Sequence, residues 1–273
     1  MSDNLGGVDV YRSQMVTSRA GRALTLAPAV FVALWCVLVA QSANAQSTLF
    51  NIPSTDTVAA GKGYFEIDFL AQAPGPEGGD ARFFIYNPRV IFGLPNNVEV
   101  GLNFPIYHNS DFEPSNLAYI QPNVKWKFYN NDMMGLAASV GVVVNTPLNE
   151  REGQGTWSYI YGNVSKKIPA AKGARVTAGP YGVVADQDSG DATFVGTKGG
   201  VLLGYEQPLG GPVSFVADWF SGKNSIGYFT PGISVVLPHS GLFNLGYSFG
   251  NDSFENSNET RNRYLFVYYG VTF

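Results

Sequence analysis

Apolar and polar residues alternate along most of the chain after residue 62. The segment LAYIQPNVKWKFY, residues 117–129, shows this most clearly: its even-numbered positions are apolar, and its odd-numbered positions from Tyr119 to Lys127 are polar. Successive side chains of a β-strand point to opposite faces, so the alternation predicts a strand with one apolar and one polar face. Such segments have roughly ten residues each, which is the length a tilted strand needs to cross a bilayer.

The pattern predicts twelve strands, and the links between them are of two kinds. Turn-rich, mostly tight links such as LPNNV and LPHSG alternate with longer, mostly acidic links such as DQDSGDATFVG and NDSFENSNETRN. Bacterial outer-membrane barrels have an even number of strands, with short periplasmic turns and longer extracellular loops. The strands are predicted near 63–72, 81–94, 98–107, 117–129, 133–146, 157–168, 175–185, 197–207, 213–221, 226–237, 242–250 and 263–273.

The sequence ends in an aromatic, alternating strand, YLFVYYGVTF. In a closed barrel the last strand pairs with the first, which holds the end of the chain and places its apolar face against lipid. We therefore predict an all-β fold, a transmembrane antiparallel up-and-down β-barrel of about 12 strands over residues 63–273, preceded by a cleaved signal peptide. A secreted soluble sandwich is the alternative, but its Greek-key links give no reason for two alternating kinds of loop.

Five prolines lie inside the predicted strands, where they cannot donate to a hydrogen-bond ladder. At Asn87 and Pro88 the alternation slips by one position, which predicts a β-bulge there. The prolines are Pro88, Pro105, Pro122, Pro180 and Pro231.

The N-terminal region is typical of a secretory signal. An apolar run at 23–40 follows three arginines and precedes QSANA, the order of basic, apolar and small residues that predicts cleavage after Ala45. A membrane anchor is the alternative, but Pro28 interrupts the run and no charged stop follows it. We expect residues 1–45 to be the signal peptide, with Met15 as an alternative true start, and residues 46–62 to be a periplasmic N-terminal segment.

Charge and cysteine usage narrow the function classes. Without the three basic and two acidic residues of the signal, the chain keeps 14 basic and 19 acidic residues, a net charge of minus five. This acidic balance argues against nucleic acid as a partner. Cys36, the single cysteine, lies in the signal, so the mature chain needs neither a disulfide nor a thiolate site.

Candidate catalytic chemistry is sparse in the sequence. The two histidines are His108, at the start of a long link, and His239, in the LPHSG turn, and the predicted topology places them at opposite ends of the barrel. No clustered Cys or His indicates a zinc or iron site, and no glycine-rich phosphate loop precedes a helix. We predict that the protein is not an enzyme and has no catalytic residues, cofactor or metal. A catalytic site made only of carboxylates is the alternative.

The polar faces of the strands are predicted to line the barrel lumen. They carry both acidic and basic residues on different strands, which indicates charge pairs across the interior. Such pairs either satisfy a narrow interior or form a lining that selects solutes. The predicted lumen-lining residues are Glu66, Asp68, Arg82, Glu99, Asn103, Gln121, Asn123, Lys125, Lys127, Asn163, Lys167, Arg175, Lys198, Glu206 and Asp218.

Inward aromatic residues are a second feature of the predicted lumen. They offer a surface for an apolar or aromatic solute, or else they anchor the rim of the barrel. The residues are Tyr86, Tyr119, Tyr159, Tyr161 and Tyr181.

Two segments resemble known outer-membrane barrels. The last strand resembles their C-terminal assembly signature, an aromatic last residue with apolar residues at alternate positions before it; the matching residues are Leu265, Val267, Tyr269, Val271 and Phe273. The segment NPRVIFGLPNNVEVGLNFPIY, residues 87–107, resembles a hairpin of outer-membrane transporters of the meta-cleavage pathway of phenol degradation type, at Phe92, Gly93, Leu94, Asn96, Asn97, Glu99 and Gly101. The resemblance implies a barrel that moves small, including aromatic, molecules.

The combined prediction is a channel of the bacterial outer membrane that is reached by Sec-type export. It would pass small solutes, including apolar or aromatic ones, through a narrow polar lumen without catalysis. The alternative is a closed structural or adhesive barrel that works through its extracellular loops. The expected partners are outer-membrane lipid and lipopolysaccharide, the barrel-assembly machinery and a small-molecule solute.

Overall fold

A computed structural model of the protein describes residues 47–72, 83–109, 116–149, 155–185, 194, 196–251 and 263–273. The predicted signal peptide over 1–45 and the predicted lumen residue Arg82 lie outside the described residues. No helix among the described residues is long and apolar enough to cross a membrane.

The described chain forms thirteen β segments that make up twelve strands. Their bounds are β1 Gly63–Gln72, β2 Phe83–Leu94, β3 Val98–Asn103, β4 Ile106–Asn109, β5 Asn116–Asn131, β6 Leu136–Pro147, β7 Trp157–Ile168, β8 Ala174–Ala185, β9 Gly199–Gly210, β10 Val213–Phe220, β11 Tyr228–Leu237, β12 Gly241–Gly250 and β13 Arg263–Thr272. β3 and β4 are two halves of one strand, since both pair with β2 and with β5.

The sheet closes on itself. Each strand pairs antiparallel with its neighbours in the sequence, and β1 pairs with both β2 and β13. The β1–β13 ladder runs without a shift from Tyr64 opposite Thr272 to Gln72 opposite Tyr264. Closure leaves no open sheet edge, which is a requirement for strands in a membrane. The predicted up-and-down barrel of twelve strands is therefore confirmed.

The outer surface is suited to lipid. The outward side chains of β1, β5 and β13 include the exposed apolar residues Ile67, Val124 and Leu265. Exposed aromatic residues also lie on the outer face, among them Tyr269, opposite Ile67, and Trp126, nearer the end of the barrel that carries the short turns. An apolar band flanked by aromatic residues is the exterior of an outer-membrane barrel, and we place the protein in the bacterial outer membrane.

The prolines interrupt the ladders without shifting them. Pro105 separates β3 from β4, and its carbonyl still accepts a hydrogen bond from the Tyr119 amide at 2.9 Å. The β5–β6 pairing omits Pro122 and resumes in the same register at Asn123. The predicted strand near 98–107 is thus divided because Pro105 cannot donate to the ladder.

The bulge predicted at Asn87 and Pro88 is wrong. The β1–β2 register is continuous through this point, with Ile67 opposite Pro88 and Asp68 opposite Asn87. The alternation slips in the sequence for another reason: Phe83 and Ile85 are apolar but face the interior, where they line a cavity. Both faces of this half-strand are therefore apolar.

The predicted periplasmic placement of residues 46–62 is also corrected. Residues 47–58, called the lumen segment below, lie inside the barrel, where Leu49, Ile52 and Ser54 have no exposed surface. From Ala59 onward the chain runs along the turn end, where the Gly61 amide donates to the Gly93 carbonyl at 3.0 Å. The segment enters the barrel because inward polar residues of many strands bind its backbone and side chains, as described below.

Barrel closure is testable by a disulfide between β1 and β13. Phe69 lies opposite Val267 on the outer face, and paired residues in an antiparallel ladder have Cα atoms about 5.5 Å apart, within disulfide reach. We expect Phe69→Cys with Val267→Cys to form an intramolecular disulfide in purified barrel, detected by a mobility change on non-reducing gels after heating. Phe69→Cys with Val271→Cys, four residues away along β13, is the matched pair that should stay reduced. Equal cross-linking of both pairs would contradict this register.

Candidate functional site: a lumen occupied by residues 47–58

Apolar residues of the lumen segment pack against the barrel interior. Leu49, Phe50 and Ile52 belong to a buried cluster that also includes Leu202, Val216, Phe266 and other inward side chains. Two strand glycines make this approach possible. A Cβ at Gly204 would lie 2.7 Å from the Leu49 side chain, and one at Gly246 would lie 2.8 Å from the Phe50 ring. Those positions exclude larger residues while the segment is in place.

Asp218 on β10 binds the backbone of the lumen segment. Its Oδ2 atom accepts hydrogen bonds from the amides of Phe50 at 2.9 Å, Asn51 at 2.5 Å and Ile52 at 2.9 Å. The Asn51 side chain donates to Asp218 Oδ1 at 3.1 Å and to Thr230 Oγ1 at 2.7 Å. A turn of the segment thus presents its donors to one buried carboxylate, which fixes its orientation.

Glu99 on β3 contacts both ends of the lumen segment. Its carboxylate accepts a hydrogen bond from the Ser47 hydroxyl and one from the Val58 amide, the latter at 2.9 Å. Lys125 on β5 lies 2.9 Å from Glu99 and donates to the Ser47 carbonyl at 3.0 Å. A buried carboxylate and ammonium are stable only when paired and hydrogen-bonded, and here the segment supplies part of that pairing.

A second ionic contact lies nearer the turn end. Arg175 on β8 forms ion pairs with Asp56 of the lumen segment and with Glu206 on β9. Although burial acts to raise it, the pKa of the Asp56 carboxyl lies below its ordinary value because of the Arg175 guanidinium. The Thr55 hydroxyl donates to Ser165 Oγ at 2.8 Å. These contacts hold the second half of the segment to β7, β8 and β9.

A third ionic group lies on the other side of the lumen segment. Arg89 Nη1 lies 2.5 Å from Glu66 and 3.8 Å from Asp68, and it also donates to Thr48 Oγ1 at 3.1 Å. Tyr64 donates to Glu66 at 2.5 Å. Glu66 is fully buried, and its two donors satisfy it.

The lumen segment divides the interior into two cavities. The loop-side cavity, about 530 Å³, is lined by residues near the long loops, such as Gln72, Phe83 and Tyr228, and by Thr48 and Asn51 of the segment. The turn-side cavity, about 590 Å³, is lined by residues near the short turns, such as Asn130 and Gly173, and by Thr55 and Asp56 of the segment. In this structure the partition between the cavities is formed largely by the segment.

Most of the predicted lumen residues lie inside the barrel. The buried ones are Glu66, Asp68, Glu99, Asn103, Lys125, Asn163 and Asp218. Gln121 lines the loop-side cavity, while Lys167, Arg175 and Glu206 line the turn-side cavity. Asn123 donates to Asn103 at 3.3 Å, and Lys127 is partly buried. Lys198 lies exposed, one residue before β9. Their role in solute passage stays a prediction.

The structure places four of the five predicted inward tyrosines inside the barrel and one on its outer face. Tyr119, Tyr161 and Tyr181 are buried in the interior, and Tyr159 lines the loop-side cavity. Tyr86, predicted to face inward, is 44% exposed on the outer face, because the register through Pro88 has no bulge. The predicted assembly residues Leu265, Tyr269 and Phe273 are exposed, and Val267 and Val271 are partly exposed.

The residues that sequence reasoning missed include the lumen segment, its ligands Arg89 and Thr230, and Asn87 of the loop-side cavity. The signal for the segment was present: Leu49, Phe50 and Ile52 are large apolar residues in a stretch predicted to be solvated periplasmic chain. Arg89 was not placed in the lumen because the predicted bulge left its direction undefined.

Comparison with known proteins shows similarity in structure only. No protein-family model matches the sequence, and no curated protein matches it significantly. An outer membrane channel from Pseudomonas putida F1 is 11% identical, with a TM-score of 0.49 over 80% of this chain and 97% of that chain. The Salmonella typhi outer membrane phospholipase is 13% identical, with a TM-score of 0.46 over 77% and 89%. The autotransporter NalP translocator domain from Neisseria meningitidis is 13% identical, with a TM-score of 0.40 over 92% and 98%.

The prediction that the protein is not an enzyme is corrected by this comparison. The similar structures include outer membrane phospholipase A from Escherichia coli, an enzyme, at 13% identity, so the barrel fold does not decide catalysis either way. On this chain, His108 Nδ1 lies 2.9 Å from Asn116 Oδ1, and His239 lies in the turn before β12. Among the residues that the structure describes, no group of three or more His, Cys, Asp or Glu is arranged to hold a metal ion.

The role of Asp218 is testable by hydrogen exchange. Hydrogen bonds to a carboxylate contribute roughly 1.5–3 kcal/mol each, so we expect Asp218→Ala to speed exchange at the amides of residues 50–52 by about tenfold or more. Mass spectrometry of a peptide covering the lumen segment measures this, with a β7 peptide as internal reference. Asp132→Asn, at an exposed turn position, is the matched control. Unchanged protection in Asp218→Ala would show that this carboxylate does not hold the segment.

Proposed function

We propose that the protein is an outer-membrane channel for passive passage of small solutes with apolar or aromatic bodies, and that the lumen segment closes it. The main observation that supports this proposal is the division of the interior into two cavities by residues 47–58. A closed barrel filled by side chains of its own strands would need no such segment. Once the predicted signal peptide is removed, the segment would be joined to the barrel through residue 58 alone and could move while the barrel stays closed.

The contacts of the lumen segment are suited to reversible binding. Many of them are hydrogen bonds and ion pairs from Glu99, Arg175 and Asp218. If the segment leaves, water that enters the lumen hydrates these groups, so the net cost per contact is modest. The apolar cluster around Leu49 and Phe50 opposes release and favours the closed state.

The size of the barrel is consistent with a pore once the segment moves. Eight-stranded barrels are just filled by side chains, whereas barrels of sixteen strands leave an aqueous channel. Twelve strands lie between these cases, and inward glycines such as Gly204 and Gly246 leave space that the segment now occupies. The same filled interior also fits a closed structural or adhesive barrel that works through its loops, and conductance separates the two functions.

Removal of the lumen segment should open the channel. We expect a mature chain lacking residues 47–58 to show larger and longer openings than the full mature chain in a planar bilayer, by about severalfold in single-channel conductance. A heat-dependent gel shift checks that the shortened barrel is folded. A folded, electrically silent deletion variant would rule out the channel and favour the structural barrel.

A reversible lock tests whether the segment must move. The Thr55 and Ser165 hydroxyl oxygens are 2.8 Å apart, so cysteine sulfur atoms at these two positions would lie close to each other. We expect oxidised Thr55→Cys with Ser165→Cys to stop conductance and a reductant to restore it. Each single cysteine variant should conduct like the parent chain under both conditions. Persistent conductance in the fully oxidised double variant would show that solutes pass without movement of residues 55–58.

A further inference from the structure

Two buried oxygen atoms in the loop-side cavity have no hydrogen-bond partner among the described residues. They are Asp68 Oδ1 and Asn87 Oδ1, and both residues line the cavity. Asp68 is only 3% exposed, and its other oxygen accepts a hydrogen bond from Asn87 Nδ2 at 2.8 Å. The two acceptors therefore belong to one hydrogen-bonded pair of side chains, on residues that lie opposite each other in the β1–β2 ladder. Buried acceptors are normally paired, so a donor on a ligand would complete this site.

The charge around Asp68 favours a positively charged donor. Two carboxylates, Glu66 and Asp68, share one guanidinium, that of Arg89. Arg89 lies 2.5 Å from Glu66 but 3.8 Å from Asp68, so its shorter contact goes to Glu66. Asp68 Oδ1 is left without a donor in this arrangement. An anionic ligand would be repelled here, whereas an ammonium group would gain both a hydrogen bond and an ion pair.

The walls of the same cavity are aromatic. The Phe83 ring centroid lies 5.8 Å from that of Tyr264 and 6.2 Å from that of Tyr107. Aromatic faces attract cations and pack well against flat apolar groups. A volume of about 530 Å³ is in the range of small-molecule sites. The aromatic lining residues include Phe83, Tyr107, Trp157, Tyr159, Tyr264 and Phe266.

We propose that the loop-side cavity binds a primary ammonium ion carried on a small aromatic body. The ammonium group donates to Asp68 Oδ1 and Asn87 Oδ1, and the body packs against the aromatic wall. This inference rests on the proposed channel function and names the class of solute that enters from the loop side.

Calorimetry with a matched ligand series tests the site. Full mature chain in detergent is titrated with 2-phenylethylammonium, 2-phenylethanol and phenylacetate, which share a body and differ in the head group. We expect the ammonium ligand to bind most tightly and phenylacetate least. Asp68→Asn should weaken the ammonium ligand by about tenfold or more and change the alcohol little. Asp132→Asn, which removes an exposed carboxylate from the turn end, is the matched control and should bind like the parent chain.

Several results would overturn the inference. They are no binding of 2-phenylethylammonium at millimolar concentration, equal binding by Asp68→Asn, and binding of the alcohol or the carboxylate as tightly as the ammonium. If Asp68→Asn lacks the heat-dependent gel shift of a folded barrel, Phe83→Leu replaces it, because this change keeps apolar volume and removes an aromatic face. It should weaken the ammonium ligand about threefold, and an unchanged affinity would count against the site.

The outcome is separable from that of the channel experiment. Calorimetry measures equilibrium binding and needs no conducting state, while the bilayer recordings need no ligand. Ammonium binding by an electrically silent barrel would support the proposed binding site and contradict the proposed channel. Conductance without ammonium binding would support the channel and contradict this class of solute.

Discussion

A barrel of twelve strands encloses more space than its own inward side chains fill, and the rest of the interior follows from this constraint. Residues 47–58 occupy that space, with Leu49 and Ile52 fully buried. Some of the inward residues that bind the segment are charged, and buried charges need partners. Glu99 and Asp218 therefore fix the segment and are themselves satisfied by it. The same segment therefore fills the lumen and supplies partners for its charged residues.

The same arrangement gives the lumen two different sides. The turn-side cavity is lined by polar and charged groups such as Lys167, Arg175 and Glu206, with a few aliphatic residues. The loop-side cavity joins an aromatic wall to a polar floor at Asp68, Asn87 and Arg89. A solute from the loop side would meet selective contacts before it reaches the segment. This order of contacts connects the proposed closure by the lumen segment with the proposed ligand site, although the two proposals depend on different residues.

Prediction from sequence worked best where one periodic pattern decides one property. The strand bounds and the closed fold follow from alternation with period two and from the two kinds of link. The prediction failed where apolar residues face a cavity: Phe83 and Ile85 mimic an outward face, so a bulge was inferred at Pro88 and Tyr86 was placed inside. Most lumen residues were identified, because polar residues at alternate positions of a strand point into the barrel interior. Their hydrogen-bond and ion-pair partners were not identified, because pairs such as Glu99 with Lys125 join different strands.

The sequence by itself determined the alternating strands, their number and, on most strands, the polarity of each face, because these depend on neighbours along the chain. Only the tertiary structure decided what fills the lumen. Residues 47–58 carry no periodic pattern, and their place depends on Asp218, more than 150 residues further along the chain, together with Glu99 and Arg175 on other strands. A segment bound by several distant side chains has no local signature, because its binding site exists only after the barrel has closed.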